Sequence, residues 1–382
     1  MKLRLAALVL ALAALLSGCS AMLERSYVSS TAHVEYTPLS EDPSILRAES
    51  YRGLVDAILY FVNEHAAQGT IRLYNYTSDV EADVDAACRE VVEEDPLGAF
   101  SVASIDYAFS RIVSYYEVTV TLTYSHTAQE VEAIRSVGST TAIQQQLRQA
   151  MADFSSSLVL RASYFTGDID SVRSMAAQAY FDTPQAAFGM PDIQVALYPD
   201  SGTQRILEIT LQWPDDQASL AARSEELVAL ALQLLRNAPP AGDSNTPGEL
   251  VAILRQTAAP MDSAGAGDPY SALTGQPANL LAHTLALELL LQQAGFDVTL
   301  VNGIANGSDT CWLILDAGEG YRHLLLTDEE PTLYTDPELT ALGYLWNSDL
   351  YPDCVDYGIA PSAAETPGSS ADGTQPGQTT EG

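Results

Sequence analysis

The residues of this chain best suited to chemistry near neutral pH are its four cysteines and five histidines. A cysteine attacks as its thiolate, a form favoured by a helix N-terminus or a nearby histidine. A third group then orients the histidine. Cys311 and His323 fall on two neighbouring predicted strands and are the candidates for nucleophile and base. His283 and Glu288 sit on one long apolar helix. His283 reads as a hydrogen-bonded core histidine, and Glu288 as an acid paired with a buried base. Beyond Cys19 the cysteines are Cys88, Cys311 and Cys354, an odd number that leaves at least one unpaired. Cys311 and Cys354 are expected to bridge, because both lie in the C-terminal part. Cys88 is expected as a small buried hydrophobe within a helical pattern. Their spacing matches no metal site, and no cofactor is implied.

Cys19 belongs to a different chemistry. Lys2 and Arg4 precede an apolar run over 5–16 that is too short to remain as a spanning helix. The run ends in Leu16-Ser17-Gly18-Cys19, which resembles the bacterial lipobox, with an ordinary secretory peptide and a chance cysteine as the alternative. The resemblance implies a signal peptide over 1–18 and a diacylglycerol on Cys19. The chain would then be held on the extracytoplasmic face of a bacterial cell membrane without a spanning segment. The formal charge is −33, and processing before Cys19 removes Lys2 and Arg4 to leave −35. This balance excludes a basic nucleic-acid footprint and fits an acidic, well-solvated surface.

The elements that must position these residues fall into segments. Residues 19–49 read as a polar tether, and 238–247 (Ala-Pro-Pro-Ala-Gly-Asp-Ser-Asn-Thr-Pro) as a domain boundary. Residues 360–382 have almost nothing apolar to bury and are expected to be disordered. Between them, two stretches align at a shift of 89 residues. Ile71-Arg72 meets Leu160-Arg161, Tyr76 meets Phe165, Asp79 meets Asp168, and the strand over 120–124 meets that over 209–213. The pattern predicts two similar α+β modules, 50–134 and 139–237. Each has a helix (51–64, 142–154), a strand (70–76, 157–165), a helix N-capped by Asp79 or Asp168, and closing strands. Pro199-Asp200-Ser201-Gly202 is a hairpin turn, and a last helix spans 219–236. Arg72 and Arg161 recur at one strand position and are expected in salt bridges to a helix.

In the C-terminal part, 247–358, the helix over 279–295 is apolar nearly all round and so central; Asn279 can cap it and Gly295 end it. Strands follow over 297–303, 310–316 and 321–327. Tyr270, Ala272, Leu273, Leu289-Leu290-Leu291, Gly295, Val301, Gly303, Trp312, Tyr321, His323, Leu324, Glu329-Glu330 and Pro331 together resemble the transglutaminase-like branch of the papain-like cysteine enzymes. The resemblance implies a buried helix packed on an antiparallel sheet. It also implies that Leu280, Thr310 and Leu325 occupy the places of the family's Cys, His and Asp. None of the three side chains can perform the lost role. Cys311 falls where the family has a core alanine, and His323 shares a face with Leu325 beside the former pocket.

The expected fold class is therefore α+β, two repeated helix-and-sheet modules followed by a degenerate transglutaminase-like domain. The expected function is a non-catalytic, membrane-anchored protein that binds a peptide, glycan or protein partner. One alternative is an active cysteine peptidase or acyltransferase with a relocated site at Cys311 and His323. Another is a solute-binding lipoprotein.

Overall fold

Two serines open the two halves of the fold in the same way. The Ser50 side chain accepts from the Gly53 N–H, and that of Ser139 from the Ala142 N–H. Each fills one of the donors left over at a helix start. The computed structural model describes residues 43–237, 246–318, 320–326 and 331–355. The signal segment, Cys19, most of the tether, residues 238–245 of the proline-rich break, Glu329-Glu330 and the 360–382 tail lie outside the described residues.

The first half runs β1 (Ile45–Ala48), α1 (Tyr51–Asn63), β2 (Gln68–Tyr74), α2 (Val80–Glu93), α3 (Pro96–Ser101), β3 (Val102–Ile112) and β4 (Tyr115–Tyr124). The sheet order is β1-β2-β4-β3, with β1 parallel to β2 and the other pairs antiparallel. After a short α4 (Ala128–Glu132) come β5 (Arg135–Val137), α5 (Thr140–Ala152), β6 (Ser157–Ala162), α6 (Ile169–Phe181), β7 (Asp192–Tyr198) and β8 (Arg205–Gln212). This sheet has the order β5-β6-β8-β7, again with one parallel pair at the same edge.

Backbone detail follows the same shift. Asp79 and Asp168 cap α2 and α6 through their side chains. His65 and Phe154 both have φ 49°, and Asn75 and Tyr164 have φ 53° and 61°. Each residue lies 89 positions from its counterpart. The first pair ends α1 and α5 in the left-handed conformation common after a helix. The second pair ends β2 and the segment after β6 at a turn, which is why β2 stops at Tyr74 and β6 at Ala162, short of the expected 76 and 165. The strand Ile45–Ala48 also moves into the body residues that composition had assigned to the tether. Arg72 pairs with Glu117 at 3.0 Å, on the neighbouring strand β4 and not on a helix. Opposite Arg161 stands Ile206, so that pair is not repeated.

The remainder is α7 (Gln217–Asn237), α8 (Pro247–Thr257), α9 (Pro269–Leu273), α10 (Leu280–Gln293), β9 (Val298–Ala305), β10 (Ser308–Asp316), β11 (Tyr321–Leu324), β12 (Leu333–Tyr334), α11 (Asp336–Ala341) and β13 (Tyr344–Leu345). The five strands form an antiparallel sheet of order β12-β11-β10-β9-β13. The fold is thus mixed α+β, and α10 packs against β9 and β10. Asn279 caps α10 by accepting from the Ala282 N–H at 3.0 Å, and the chain turns away at Gly295, φ 92°.

Every side chain from Ala282 to Leu291 is buried. Burying a leucine stabilises the fold by about 1.5–3 kcal/mol, so the leucines of α10 outweigh the one carboxyl group, Glu288, buried among them. Apolar packing is continuous from α5, β6 and α6 through α7 to α10 and the inner face of the last sheet. The second half-sheet and the C-terminal part therefore share one core, whereas the first has its own. Ile206, Val159 and Tyr198 of the second half join that first core.

Candidate functional site

Alternation along β10 decides where its chemistry points. Cys311, Leu313 and Leu315 belong to the main core under α10, whereas Trp312 and Ile314 belong to a smaller cluster on the other face of the sheet. Thr310 has the parity of Trp312 and so faces away from α10. Leu280 is the first residue of α10 and packs on the main core. Leu325, just past β11, is buried in the smaller cluster. The fold thus does not gather Leu280, Thr310 and Leu325 into one cleft.

The cysteines are likewise separated. Cys88, Cys311 and Cys354 are free and buried. The expected Cys311–Cys354 bridge is absent because the two thiols lie on opposite faces of one sheet. Cys311 Sγ contacts Thr284 Oγ1 of α10 at 3.6 Å, and burial pushes its thiol pKa up. Burial also drives Cys88 and Cys354 up to about 12. All three are thiols at neutral pH, the unreactive form.

His323 is fully buried and forms a chain of hydrogen bonds. Trp312 Nε1–H donates to His323 Nδ1 at 2.9 Å, and His323 Nε2 lies 2.8 Å from Asp336 Oδ1. An indole can only donate, so Nδ1 must be the acceptor and the ring proton sits on Nε2, facing Asp336. Asp336 Oδ2 in turn accepts from the Cys354 N–H. His323, Asp336 and Cys354 hold their potential ligand atoms within 4.8 Å of one another. They fit a metal poorly: a ligating Nε2 would have to shed its proton, and the indole N–H prevents that proton from moving to Nδ1. The same wiring disqualifies a thiol–imidazole relay, because neither ring nitrogen is free for a thiol. Trp346 and Tyr344 close over the cluster with edge-on ring contacts. Its chemistry is that of a polar tie inside an aromatic cluster.

The remaining sequence candidates are structural too. His283 sets Nδ1 against the Asn279 carbonyl at 2.8 Å and Nε2 against the Ala259 carbonyl at 3.0 Å, tying the start of α10 to the preceding loop. Glu288 has no basic partner, contrary to expectation. Its Oε1 accepts from Gln292 Nε2 at 3.3 Å, and Oε2 is buried without a hydrogen-bond partner. Burial first, and the charge of Asp182 second, raise its pKa well above the ordinary carboxyl value. Burial in the helix thus disfavours the charged form of this carboxyl.

Asp182 marks a site that sequence reasoning missed. A cleft of about 820 Å³ opens where α5 and the end of α6 meet the C-terminal end of α10, the start of β9, and Tyr321. Asp182 Oδ1 accepts from Thr299 at 2.6 Å and from Gln178 at 2.9 Å. Its Oδ2 lies 3.7 Å from Arg148 Nη1. Burial raises the Asp182 pKa against the opposing pull of Thr299, Gln178 and Arg148. Six glutamines (144, 145, 149, 178, 185 and 292) line the cleft, and Gln185 Oε1 is buried without a partner. The lining comes from segments far apart in the chain, and each glutamine reads singly as an ordinary polar position, so no local signal pointed to them.

No protein-family model matches the chain, and none of the curated proteins matches it. Among the described residues, no helix is long and apolar enough to cross a membrane.

Proposed function

We propose that this chain is a lipid-anchored extracytoplasmic binding protein: two copies of one α+β module followed by a transglutaminase-like domain that has lost catalysis. The lipobox-like Leu16-Ser17-Gly18-Cys19 supports the anchor. The shared strand order, caps and left-handed residues at a shift of 89 support the duplication. The buried helix on an antiparallel sheet and the quoted framework residues support the family likeness. The observation that carries the non-catalytic reading is the Trp312–His323–Asp336 chain, which occupies both ring nitrogens of His323, the candidate base.

Two measurements test this. Wild-type protein is incubated with amine-donor and peptide substrates and separately labelled with iodoacetamide under native conditions. The expected result is no turnover and no labelling of Cys88, Cys311 or Cys354 until the protein is unfolded. Turnover abolished by Cys311→Ala or His323→Ala would replace binding with a relocated cysteine site. For the anchor, Cys19→Ala is expected to block lipidation and release the protein or leave it unprocessed. Unchanged membrane retention and mature mass would remove the lipobox reading.

A further inference from the structure

The glutamine-lined cleft deepens the binding reading, on which it rests, by indicating what is bound. A carboxamide presents a donor and an acceptor on one uncharged group. A lining built from six of them suits a ligand whose own groups both donate and accept, and hydroxyls do so. Gln149, Gln178 and Gln292 already donate to Asp153, to Asp182 and the Leu300 carbonyl, and to Glu288 and the Asp182 carbonyl, so the amides open to a ligand are those of Gln144 and Gln145, which an apolar ligand would leave without partners. An anionic ligand would meet one guanidinium, Arg148, beside two carboxylates, Asp182 and Asp297, in a chain of net charge −33. A cationic ligand would meet the Arg148 guanidinium 3.7 Å from Asp182 Oδ2, while Asp182 Oδ1 is engaged by Thr299 and Gln178, and Asp297 Oδ2 by the Tyr321 hydroxyl at 2.7 Å.

Two local features point the same way. Arg148 Nη1 and Asp182 Oδ2, at 3.7 Å, are too far apart for a direct hydrogen bond. One hydroxyl oxygen set beside the pair, within hydrogen-bonding distance of both atoms, could accept from the guanidinium and donate to the carboxylate. Phe296 and Tyr321 add ring surface to the lining, suited to the C–H face of a pyranose. The volume, about 820 Å³, is in the upper part of the range for ligand sites and exceeds what one sugar ring fills. We propose that the cleft between the second half-sheet and the C-terminal part binds a neutral oligosaccharide of two or more units, with Arg148, Asp182 and Gln145 as its principal polar contacts.

The test is calorimetric titration of the mature full-length chain, in detergent, with neutral tetrasaccharides of three kinds: β-1,4-linked glucose, β-1,4-linked N-acetylglucosamine and α-1,4-linked glucose. Gln145 and Arg148 are exposed on α5, so Gln145→Ala and Arg148→Ala are expected to leave the fold intact, which a thermal melt checks. Arg111→Ala, on the distant β3, serves as control. The expected result is saturable binding of at least one tetrasaccharide, with Kd raised about tenfold by loss of each contact and unchanged by Arg111→Ala. Hydrogen exchange of wild type provides a second readout, in which the bound sugar should slow exchange over 141–152 and 292–300. No binding of any of the three overturns the proposal. So does binding that both cleft variants leave unchanged, since the site would then lie elsewhere. Neither outcome touches the non-catalytic reading, which fails only if substrate turnover depends on Cys311 or His323.

Discussion

His323 and Glu288 are both buried and titratable, yet their surroundings make stability depend on pH with opposite signs. Burial, its largest influence, lowers the His323 pKa below the ordinary 6.5, although Asp336 pulls the other way. Above about 6.5 the ring is neutral in both folded and unfolded chains, and its contribution to stability is whole. As pH falls below that value, the unfolded ring takes up a proton that the folded ring resists, and stability is lost. Trp312→Phe removes the indole donor and leaves Nδ1 unsatisfied in the core. The expected loss is about 1–3 kcal/mol, read by denaturant unfolding. An unchanged midpoint would show that the polar tie is not holding the cluster together. For Glu288 the folded pKa is raised, so its contribution is whole below the ordinary carboxyl value near 4.5 and fades as pH rises. Glu288→Gln is expected to raise Tm at pH 7.5, with the gain shrinking toward pH 4.5. A Tm gain equal at both pH values would mean that ionisation of Glu288 is not the source.

At the scale of elements, the last sheet depends on one close approach. A Cβ on Gly303 of β9 would lie 2.4 Å from the Trp312 ring and 2.5 Å from the Leu345 carbonyl oxygen. Both the indole and the β13 backbone pack directly onto this glycine. Gly303→Ala is expected to cost about 1–3 kcal/mol through forced displacement, and to shift the near-ultraviolet circular dichroism contributed by Trp312. Full retention of both stability and spectrum would show that β13 can move aside freely. The strands themselves follow from alternation, as in β4, where Val118, Val120 and Leu122 are buried between more exposed threonines. The short β1 and β5 had no such signal. They are three- and four-residue edge strands held by parallel pairing to β2 and β6, a long-range contact that composition does not reveal.

Across the whole molecule, the two half-sheets meet through one specific joint. Phe100 of α3 stacks on His126 at 3.9 Å and meets Tyr198 edge-on at 5.5 Å. His126 Nε2 reaches Glu208 at 3.4 Å, and the Tyr198 hydroxyl donates to the same carboxylate at 3.0 Å. Ile206 inserts into the first core from the open face of the second sheet. Its counterpart at the same shift is Glu117, paired with Arg72 on the first sheet. Ile206, Val159 and Tyr198 thus dock the second sheet on the first core beside the Glu208 carboxylate, whereas Glu117 of the first sheet pairs with Arg72. Ile206→Ala is expected to cost about 2–5 kcal/mol. It should also split thermal unfolding into two transitions by calorimetry, because the first half has its own core while the second shares one with the C-terminal part. A single transition, shifted down as a whole, would show that the joint is not what couples them.

What the sequence determined by itself was local or periodic: the caps at Asp79, Asp168 and Asn279, the apolar α10 and the alternating strands. These depend on side-chain spacing along the chain, which is visible in one dimension. Tertiary structure decided the rest. It set Cys311 and Cys354 on opposite faces of one sheet, gave Arg72 a partner on a strand, and left Glu288 without a base. It fixed the tautomer of His323 through an indole two strands' alternation made its neighbour. It also assembled the glutamine-lined cleft from helices and a strand more than a hundred residues apart. In each case the deciding contact is between segments distant in the chain, and only packing brings their side chains within hydrogen-bonding range.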